Sequence, residues 1–141
     1  MACPPARKVI TKGEGSALME APLLARDIVR AAVSHAHVPV TVKIRSGFRT
    51  GEVVAPVFAE MLEEAGASAI AVHGRSAKQL YTGEADWSVI DDVARAVSVP
   101  VIGSGDVFSA EAAVQMLRET AASGVFIARG SYGNPWIFED A

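Results

Sequence analysis

The sequence has a single cysteine, Cys3, among 141 residues, and only 6% of its residues are aromatic. One cysteine excludes a framework of internal disulfides and a cysteine-rich zinc site. No apolar run approaches the ~20 residues that a membrane-spanning helix needs, and no secretory leader pattern is visible. Basic residues are not in excess, since 13 Lys and Arg stand against 16 Asp and Glu, so charge alone indicates no nucleic-acid surface. We therefore expect a cytoplasmic protein without a membrane segment.

Apolar residues make up 50% of the chain, which is enough to bury the core of one domain. Four short runs rich in β-branched residues recur at intervals of about 25–30 residues, the size of a βα unit. Because apolar residues are nearly continuous in these runs, they predict strands that are buried on both faces. The runs are residues 38–44 (VPVTVKI), 69–73 (AIAVH), 99–103 (VPVIG) and 124–129 (GVFIAR).

The stretches between these runs predict helices, because their apolar residues recur at three- and four-residue spacings. The predicted helices span residues 23–33, 53–65, 87–97 and 109–119. Asp86 and Ser109 are expected N-caps, and Gly66 is expected to follow the second helix in the left-handed conformation. Alternation of strands and helices implies a parallel sheet, either in a doubly wound layer or in a (β/α)8 barrel.

No predicted strand is followed by the Gly-x-Gly-x-x-Gly dinucleotide fingerprint, whereas all four end in polar residues. Those residues are Lys43, Arg45, His73, Arg75, Ser104, Asp106 and Arg129. In a barrel, this edge of the sheet carries the chemistry. A complete barrel has eight strands over ~250 residues. The fold class that we predict is therefore α/β, a partial TIM barrel with four parallel βα units, spanning residues 1–141 as one half of the barrel.

Glycine-containing loops close the last two predicted strands, at residues 103–106 and 128–130. A short helix is predicted to follow, with Asn134 as its cap and Pro135 in its first turn. Two such loops and a helix N-terminus form the phosphate site of many barrels, where Arg129 would grip the phosphate with two donors. The alternative is that these glycines serve tight turns only.

Lys43 lies in a run of Val, Thr and Ile, where an unpaired charge is costly to bury. It is therefore expected to meet an anionic or electron-rich ligand, and a salt bridge to Asp106 or Glu84 is the alternative. His73 ends a neighbouring predicted strand, so both side chains are expected at one mouth. A lone histidine, however, is more often a structural residue.

Two histidines and the single cysteine are the remaining candidates for functional groups. His35 and His37 lie in a predicted loop without further metal ligands, so no metal site is predicted. Cys3 precedes Arg7 and Lys8, a positive setting of the kind that activates a thiol. The alternative for Cys3 is an inert, small apolar residue.

Together these motifs resemble the tRNA-dihydrouridine synthase family over essentially the whole chain. The His-Gly-Arg stretch at 73–75 and the ending Gly-Asn-Pro-Trp-Ile-Phe at 133–138 are the most specific pieces, and they occur in the family's order. The other matching segments are Cys3-Pro4, Arg7-Lys8-Val9, Gly15-Ser16-Ala17-Leu18, Val42-Lys43-Ile44-Arg45, Tyr81-x-Gly83-x-Ala85-Asp86-Trp87, Gly105-Asp106 and Arg129-Gly130.

The resemblance implies an FMN-dependent oxidoreductase that reduces uridine in tRNA to 5,6-dihydrouridine, with NADPH as electron donor. It implies hydride transfer to C6 of a flipped-out base, with Cys3 as the general acid that protonates C5. Lys43 and His73 would contact the isoalloxazine ring, and Arg45 and Arg75 the substrate. The resemblance places six further residues at the cofactor, namely Ser104, Gly105, Asp106, Ala128, Arg129 and Gly130.

Four positions depart from the family pattern. Pro5 is an additional residue between the Cys-Pro pair and the basic triplet, which affects the placement of Cys3. Ala77 stands where a basic residue is usual. Ser104 replaces a common Asn, and Ala128 replaces a Gly.

The resemblance also implies that the N-terminal barrel strands and a C-terminal helical tRNA-binding domain are absent from this chain. Half a barrel exposes two strand edges and an apolar inner face, so we expect the chain to self-associate. We also expect that it forms no dihydrouridine by itself. Two alternatives stay open: another FMN-dependent TIM-barrel oxidoreductase, and a non-catalytic half-barrel that keeps a phosphate-binding or assembly role.

Overall fold

The computed structural model of the chain describes residues 7–141. Four strands alternate with helices along it. The strands are β1 (Thr41–Arg45), β2 (Ala69–His73), β3 (Val101–Ser104) and β4 (Gly124–Phe126). The helices are α1 (Arg7–Ile10), α2 (Pro22–His35), α3 (Ala55–Glu64), α4 (Trp87–Ala96), α5 (Ala110–Glu119) and α6 (Ile137–Asp140). Two 3-10 helices span Gly15–Glu20 and Arg129–Ser131.

The four strands form one parallel sheet in the order β1-β2-β3-β4. At its carboxyl edge, Arg45 pairs with His73, His73 with Ser104, and Ser104 with Phe126. This register brings the carboxyl ends of all four strands to one side of the domain, and Arg45, His73 and Ser104 are the polar members of that row. The arrangement confirms the predicted fold class, a partial (β/α)8 barrel, and leaves β1 and β4 as the edges of the sheet.

The two faces of the sheet have different compositions, because side chains alternate along each strand and paired residues share a face. One face carries Val42, Ile44, Ile70, Val72 and Val101, all at most 3% exposed and packed in the core. The opposite face carries Lys43, Arg45, His73, Ser104 and Phe126 at the matching register positions.

The prediction that all four strands are buried on both faces is therefore wrong for β4, none of whose three residues is buried. As an edge strand, β4 is covered by a neighbour on one side only. The inner face was expected to be apolar, but several of its residues are polar or charged. Self-association stays a prediction.

The helices agree with their predicted spans to within about two residues, the usual uncertainty of a helix end. Asp86 caps α4 by accepting a hydrogen bond from the Ser88 N–H, and Ser109 caps α5 by accepting one from the Ala112 N–H. Gly66 follows α3 with a φ of +100°, a left-handed conformation that favours glycine. These local signals confirm the predicted caps and the predicted helix end.

The first and last strands and the last helix differ from their predicted spans. The strand β1 begins at Thr41 instead of residue 38 and ends at Arg45. The strand β4 ends at Phe126 instead of Arg129, because Ala128 leaves the extended conformation with φ −108° and ψ −92°. Helix α6 begins at Ile137, and Asn134 does not cap it. A helix of four residues is a single turn, so its dipole is small. The N-terminus of α6 therefore adds little to the predicted phosphate site, whose two loops stay a prediction.

No helix in the described part of the chain is long and apolar enough to cross a membrane. Among residues 7–141, no cluster of three or more His, Cys, Asp or Glu side chains is placed to hold a metal ion.

Met116 tests whether the core between sheet and helices controls stability. It is fully buried on α5, whereas its neighbour Leu117 is 44% exposed. We expect Met116→Ala to lower the free energy of unfolding by about 2–4 kcal/mol, because it leaves a cavity. Leu117→Ala, the matched control, should cost less than about 1 kcal/mol. Urea unfolding followed by circular dichroism measures both, and equal losses would contradict this description of the core.

Candidate functional site

A cleft of about 310 Å³ opens at the carboxyl edge of the sheet. This size is at the lower end of the range for small-molecule sites. Its lining residues come from all four strands or from the loops that follow them. They are Lys43, Arg45, His73, Tyr81, Ser104, Gly105, Asp106, Val107, Phe108, Phe126, Ala128 and Arg129.

Lys43 and His73 lie on the cleft face of neighbouring strands, as the sequence predicted. The Nζ atom of Lys43 and the ring of His73 are both buried. Burial lowers the pKa of His73 to about 3, and the nearby positive charges, Arg45 first and then Lys43, act in the same direction. The imidazole is therefore neutral at physiological pH, with one ring nitrogen as an N–H donor and the other as an acceptor.

Arg45 and Arg75 hold the loop between β2 and α4. Both guanidinium groups are buried, at 1% and 3% exposure. Arg45 Nη1 donates to the carbonyls of Ser76 and Leu80 at 3.1 and 3.3 Å. Arg75 donates from Nε to the Thr82 carbonyl at 3.2 Å and from Nη2 to the Gly83 carbonyl at 2.5 Å. Arg45 also lines the cleft, whereas Arg75 does not.

Asp106 joins the loops that follow three different strands. Its Oδ1 accepts from Arg75 Nη1 at 2.6 Å and from Arg129 Nη2 at 3.2 Å, and its Oδ2 accepts from the Ala85 N–H at 2.8 Å. Partial burial acts to raise the pKa of Asp106. The hydrogen bonds from Arg75 and Ala85 and the charges of both arginines outweigh burial, so that the pKa lies below its ordinary value. The carboxylate is thus ionised. The backbone of Asp106 has a φ of +57°, a left-handed conformation that aspartate tolerates better than most residues.

Arg129 is held between two aromatic rings at the mouth of the cleft. Its guanidinium carbon lies 4.3 Å from the centre of the Tyr81 ring and 5.1 Å from that of Phe108. Both distances are within the ~6 Å range of cation–π contacts. The sequence predicts Arg129 as a site residue but assigns no such role to the two rings. Tyr81 belongs to a family motif, and the one sequence signal for both rings is their position after the end of a predicted strand.

Close packing of the loops accounts for two of the predicted site glycines. A Cβ at Gly105 would lie 2.6 Å from Ala85 Cβ and 2.8 Å from His73 Cδ2, and the φ of Gly105 is +121°. At Gly130, a Cβ would overlap the Val107 carbonyl. These contacts explain why both turns need glycine, and phosphate binding by their N–H groups stays a prediction.

The remaining predicted site residues are placed as follows. Ser104 and Ala128 line the cleft. Ala77, which stands in place of a basic residue, is fully buried, and its N–H donates to the Gly47 carbonyl. Cys3 and Pro5 lie outside the described residues.

The cleft therefore combines three cations, Lys43, Arg45 and Arg129, with one carboxylate, Asp106. The Lys43 ammonium and the Arg45 guanidinium are buried, and the low dielectric constant around buried groups strengthens the electric field of these charges. Such a site favours an anionic or electron-rich ligand.

The low pKa of His73 predicts a pH dependence of stability. The unfolded chain takes up a proton near the ordinary value of 6.5, and the folded protein only near 3. The contribution of the neutral His73 to the stability of the fold is therefore fully present above pH 6.5 and is lost as the pH falls towards 3. Between pH 6.5 and 5, we expect His73 to contribute a loss of up to about 1.4 kcal/mol per pH unit. The free energy of unfolding, measured with urea at several pH values in this range, should change less steeply with pH in His73→Gln than in the wild type. His37→Gln, at an exposed histidine, should keep the wild-type slope, and a slope unchanged in His73→Gln would refute the assignment.

Comparisons with known proteins agree with the motifs. The family model for dihydrouridine synthase matches residues 1–141. The chain is 45% identical over 137 residues to the probable tRNA-dihydrouridine synthase 1 of Synechocystis sp., covering 97% of this chain and 38% of that protein. It is 44% identical over 140 residues to tRNA-dihydrouridine synthase B of Pseudomonas syringae pv. tomato, covering 99% and 41%. The chain thus spans about two fifths of the length of these relatives, and by the extent of these matches it belongs to the dihydrouridine synthase family.

Proposed function

We propose that this chain forms part of an FMN-dependent tRNA-dihydrouridine synthase, which reduces uridine in tRNA to 5,6-dihydrouridine with electrons from NADPH. The observation that carries the proposal is the cationic cleft at the carboxyl edge of the sheet, where Lys43, His73 and Arg129 come together in a chain of this family. The names of the relatives support tRNA as the substrate, and the charged residues that line the cleft support FMN as the cofactor.

The donor set of the cleft fits a flavin mononucleotide. A phosphate monoester requires cationic and N–H donors, which Arg129 and its loop supply. The ring system requires hydrogen-bonding partners and a nearby positive charge, which His73 and Lys43 supply. When bound, FMN would supply the hydride chemistry that no side chain can perform.

Each of these residues then has a defined task. Lys43 keeps a positive charge beside the ring, which stabilises negative charge that develops there during reduction. His73 is neutral and orients the ring through one donor and one acceptor. Ser104 ends β3, and Gly105 and Asp106 follow it, whereas Ala128, Arg129 and Gly130 follow β4. These two loops would enclose the phosphate end.

Proton delivery is assigned to Cys3 by the family resemblance. Reduction of the C5–C6 bond adds a hydride at C6 and a proton at C5, and Cys3 would donate that proton as the general acid. The target uridine has to leave the tRNA stack to reach the flavin. Arg45 and Arg75 were predicted to contact substrate. In this proposal they support the site through the loop that they hold, and a direct contact stays a prediction.

Flavin binding is the first test of the proposal. Titration of FMN with the purified chain, followed by quenching of flavin fluorescence, should give saturable binding. Removing a charged hydrogen-bond donor costs about 1.5–3 kcal/mol, so Lys43→Ala and Arg129→Ala should each weaken binding by roughly 10- to 100-fold. Arg118→Ala, which removes an exposed cation outside the cleft, should have no effect. If all three variants bind as the wild type does, the cleft is not the flavin site.

Uridine reduction is best tested in a chimera, because the isolated chain is expected to be inactive. Residues 1–141 would replace the matching segment of the Pseudomonas syringae relative, in cells without their own dihydrouridine synthases. We expect dihydrouridine in tRNA by mass spectrometry, and a loss of about 100-fold or more in rate for Cys3→Ala. A chimera that retains flavin and forms no dihydrouridine would contradict the proposed function.

A further inference from the structure

Tyr81 is held in place from both sides along the chain by buried arginines. The residue before it, Leu80, has its carbonyl bonded by Arg45 Nη1 at 3.3 Å. The residue after it, Thr82, has its carbonyl bonded by Arg75 Nε at 3.2 Å. Leu80 itself has a φ of +56°, a conformation that is strained in a residue other than glycine and persists only where its surroundings enforce it. The backbone that presents the Tyr81 ring is therefore rigidly anchored.

The ring of Tyr81 and the ring of Phe108 both contact the Arg129 guanidinium. The three residues follow β2, β3 and β4, so the contacts connect three separate loops at the mouth of the cleft. Asp106 restrains the same guanidinium through Nη2 at 3.2 Å. A free arginine side chain loses rotamer entropy when it is fixed. With Arg129 already fixed, less of that cost falls on ligand binding.

We propose that Tyr81 and Phe108 are positioning residues that fix the Arg129 guanidinium for a phosphate monoester at the mouth of the cleft. This inference rests on the proposed function for the identity of that group, the phosphate of FMN. Neither ring needs to contact the reacting atoms. Their effect is to keep a cationic, multiply hydrogen-bonding group in one orientation, so that the two loops are organised before the ligand arrives.

Comparing FMN with riboflavin separates this role from a general effect on the cleft, because riboflavin lacks the phosphate. We expect Tyr81→Leu and Phe108→Leu each to raise the Kd for FMN by roughly five- to tenfold, the size of a partly desolvated cation–π contact. The Kd for riboflavin should not change. Tyr81→Phe keeps the ring and should keep the FMN affinity. Phe138→Leu, at an exposed ring outside the cleft, is the matched control.

Three results of this comparison would overturn the proposal. The first is an unchanged affinity of Tyr81→Leu for FMN. The second is an equal loss for FMN and riboflavin, which would indicate a structural effect on the whole cleft. The third is a loss in Tyr81→Phe as large as that in Tyr81→Leu, because the hydroxyl group and not the ring would then be responsible.

A measurement without flavin distinguishes failure of this proposal from failure of the proposed function. The Nε–H resonance of Arg129, assigned by its loss in Arg129→Lys, should be shifted upfield by the two rings and should move when inorganic phosphate is added. In Tyr81→Leu the upfield shift should become smaller, because only the Phe108 ring remains, and a higher phosphate concentration should be needed to move the resonance. If flavins do not bind but phosphate still moves this resonance, the flavin function fails and the positioning role of Tyr81 and Phe108 stands. If phosphate does not move the resonance, or if Tyr81→Leu leaves its shift unchanged, the positioning role is refuted.

Discussion

The carboxylate of Asp106 is the constraint on which the organisation of the cleft depends. A buried guanidinium such as that of Arg75 is stable only with a partner and satisfied donors, because removing a charge from water costs several kcal/mol. Asp106 supplies that partner at 2.6 Å and at the same time bonds the Ala85 N–H and Arg129. One side chain thereby connects the loops after β2, β3 and β4. Without it, Arg75 would be a buried charge without this counterion, and the loop that it holds would lose its support.

The sheet places these loops together through its register. Parallel strands end at one edge, and paired residues share a face, so Arg45, His73, Ser104 and Phe126 form one row across four strands. The apolar residues of the other face pack into the core with the helices. The packing of this apolar face, which has no part in the chemistry, offsets the free energy cost of burying polar residues on the opposite face. This division explains how buried arginines and a buried lysine coexist with a small apolar core.

The distribution of charge in the cleft has a consequence for its chemistry. Positive groups surround His73 closely enough that, together with burial, they keep it neutral. The same field that disfavours a second proton on the imidazole favours negative charge on a ligand. In the proposed function, this preference serves both ends of a flavin nucleotide: the phosphate at Arg129 and the ring at Lys43. The aromatic rings around Arg129 and the arginines behind Tyr81 extend the same principle, in which buried contacts fix the groups that face the cleft.

By itself, the sequence determined the elements of the fold and the edge at which the polar residues meet. Alternating runs of β-branched and amphipathic segments specify β2 and the four long helices, and Asp86, Ser109 and Gly66 mark helix ends, because caps and left-handed turns depend on neighbouring residues only. Periodicity and family motifs together also identified Lys43, His73, Asp106 and Arg129. The short span of β4 and the start of α6 were decided by the edge position and by backbone turns that periodicity does not encode. Only the tertiary structure decided that Asp106 connects Arg75 to Arg129, and that Tyr81 and Phe108 enclose a guanidinium. These partners lie more than twenty residues apart along the chain and meet only because parallel strands bring their loops to one edge.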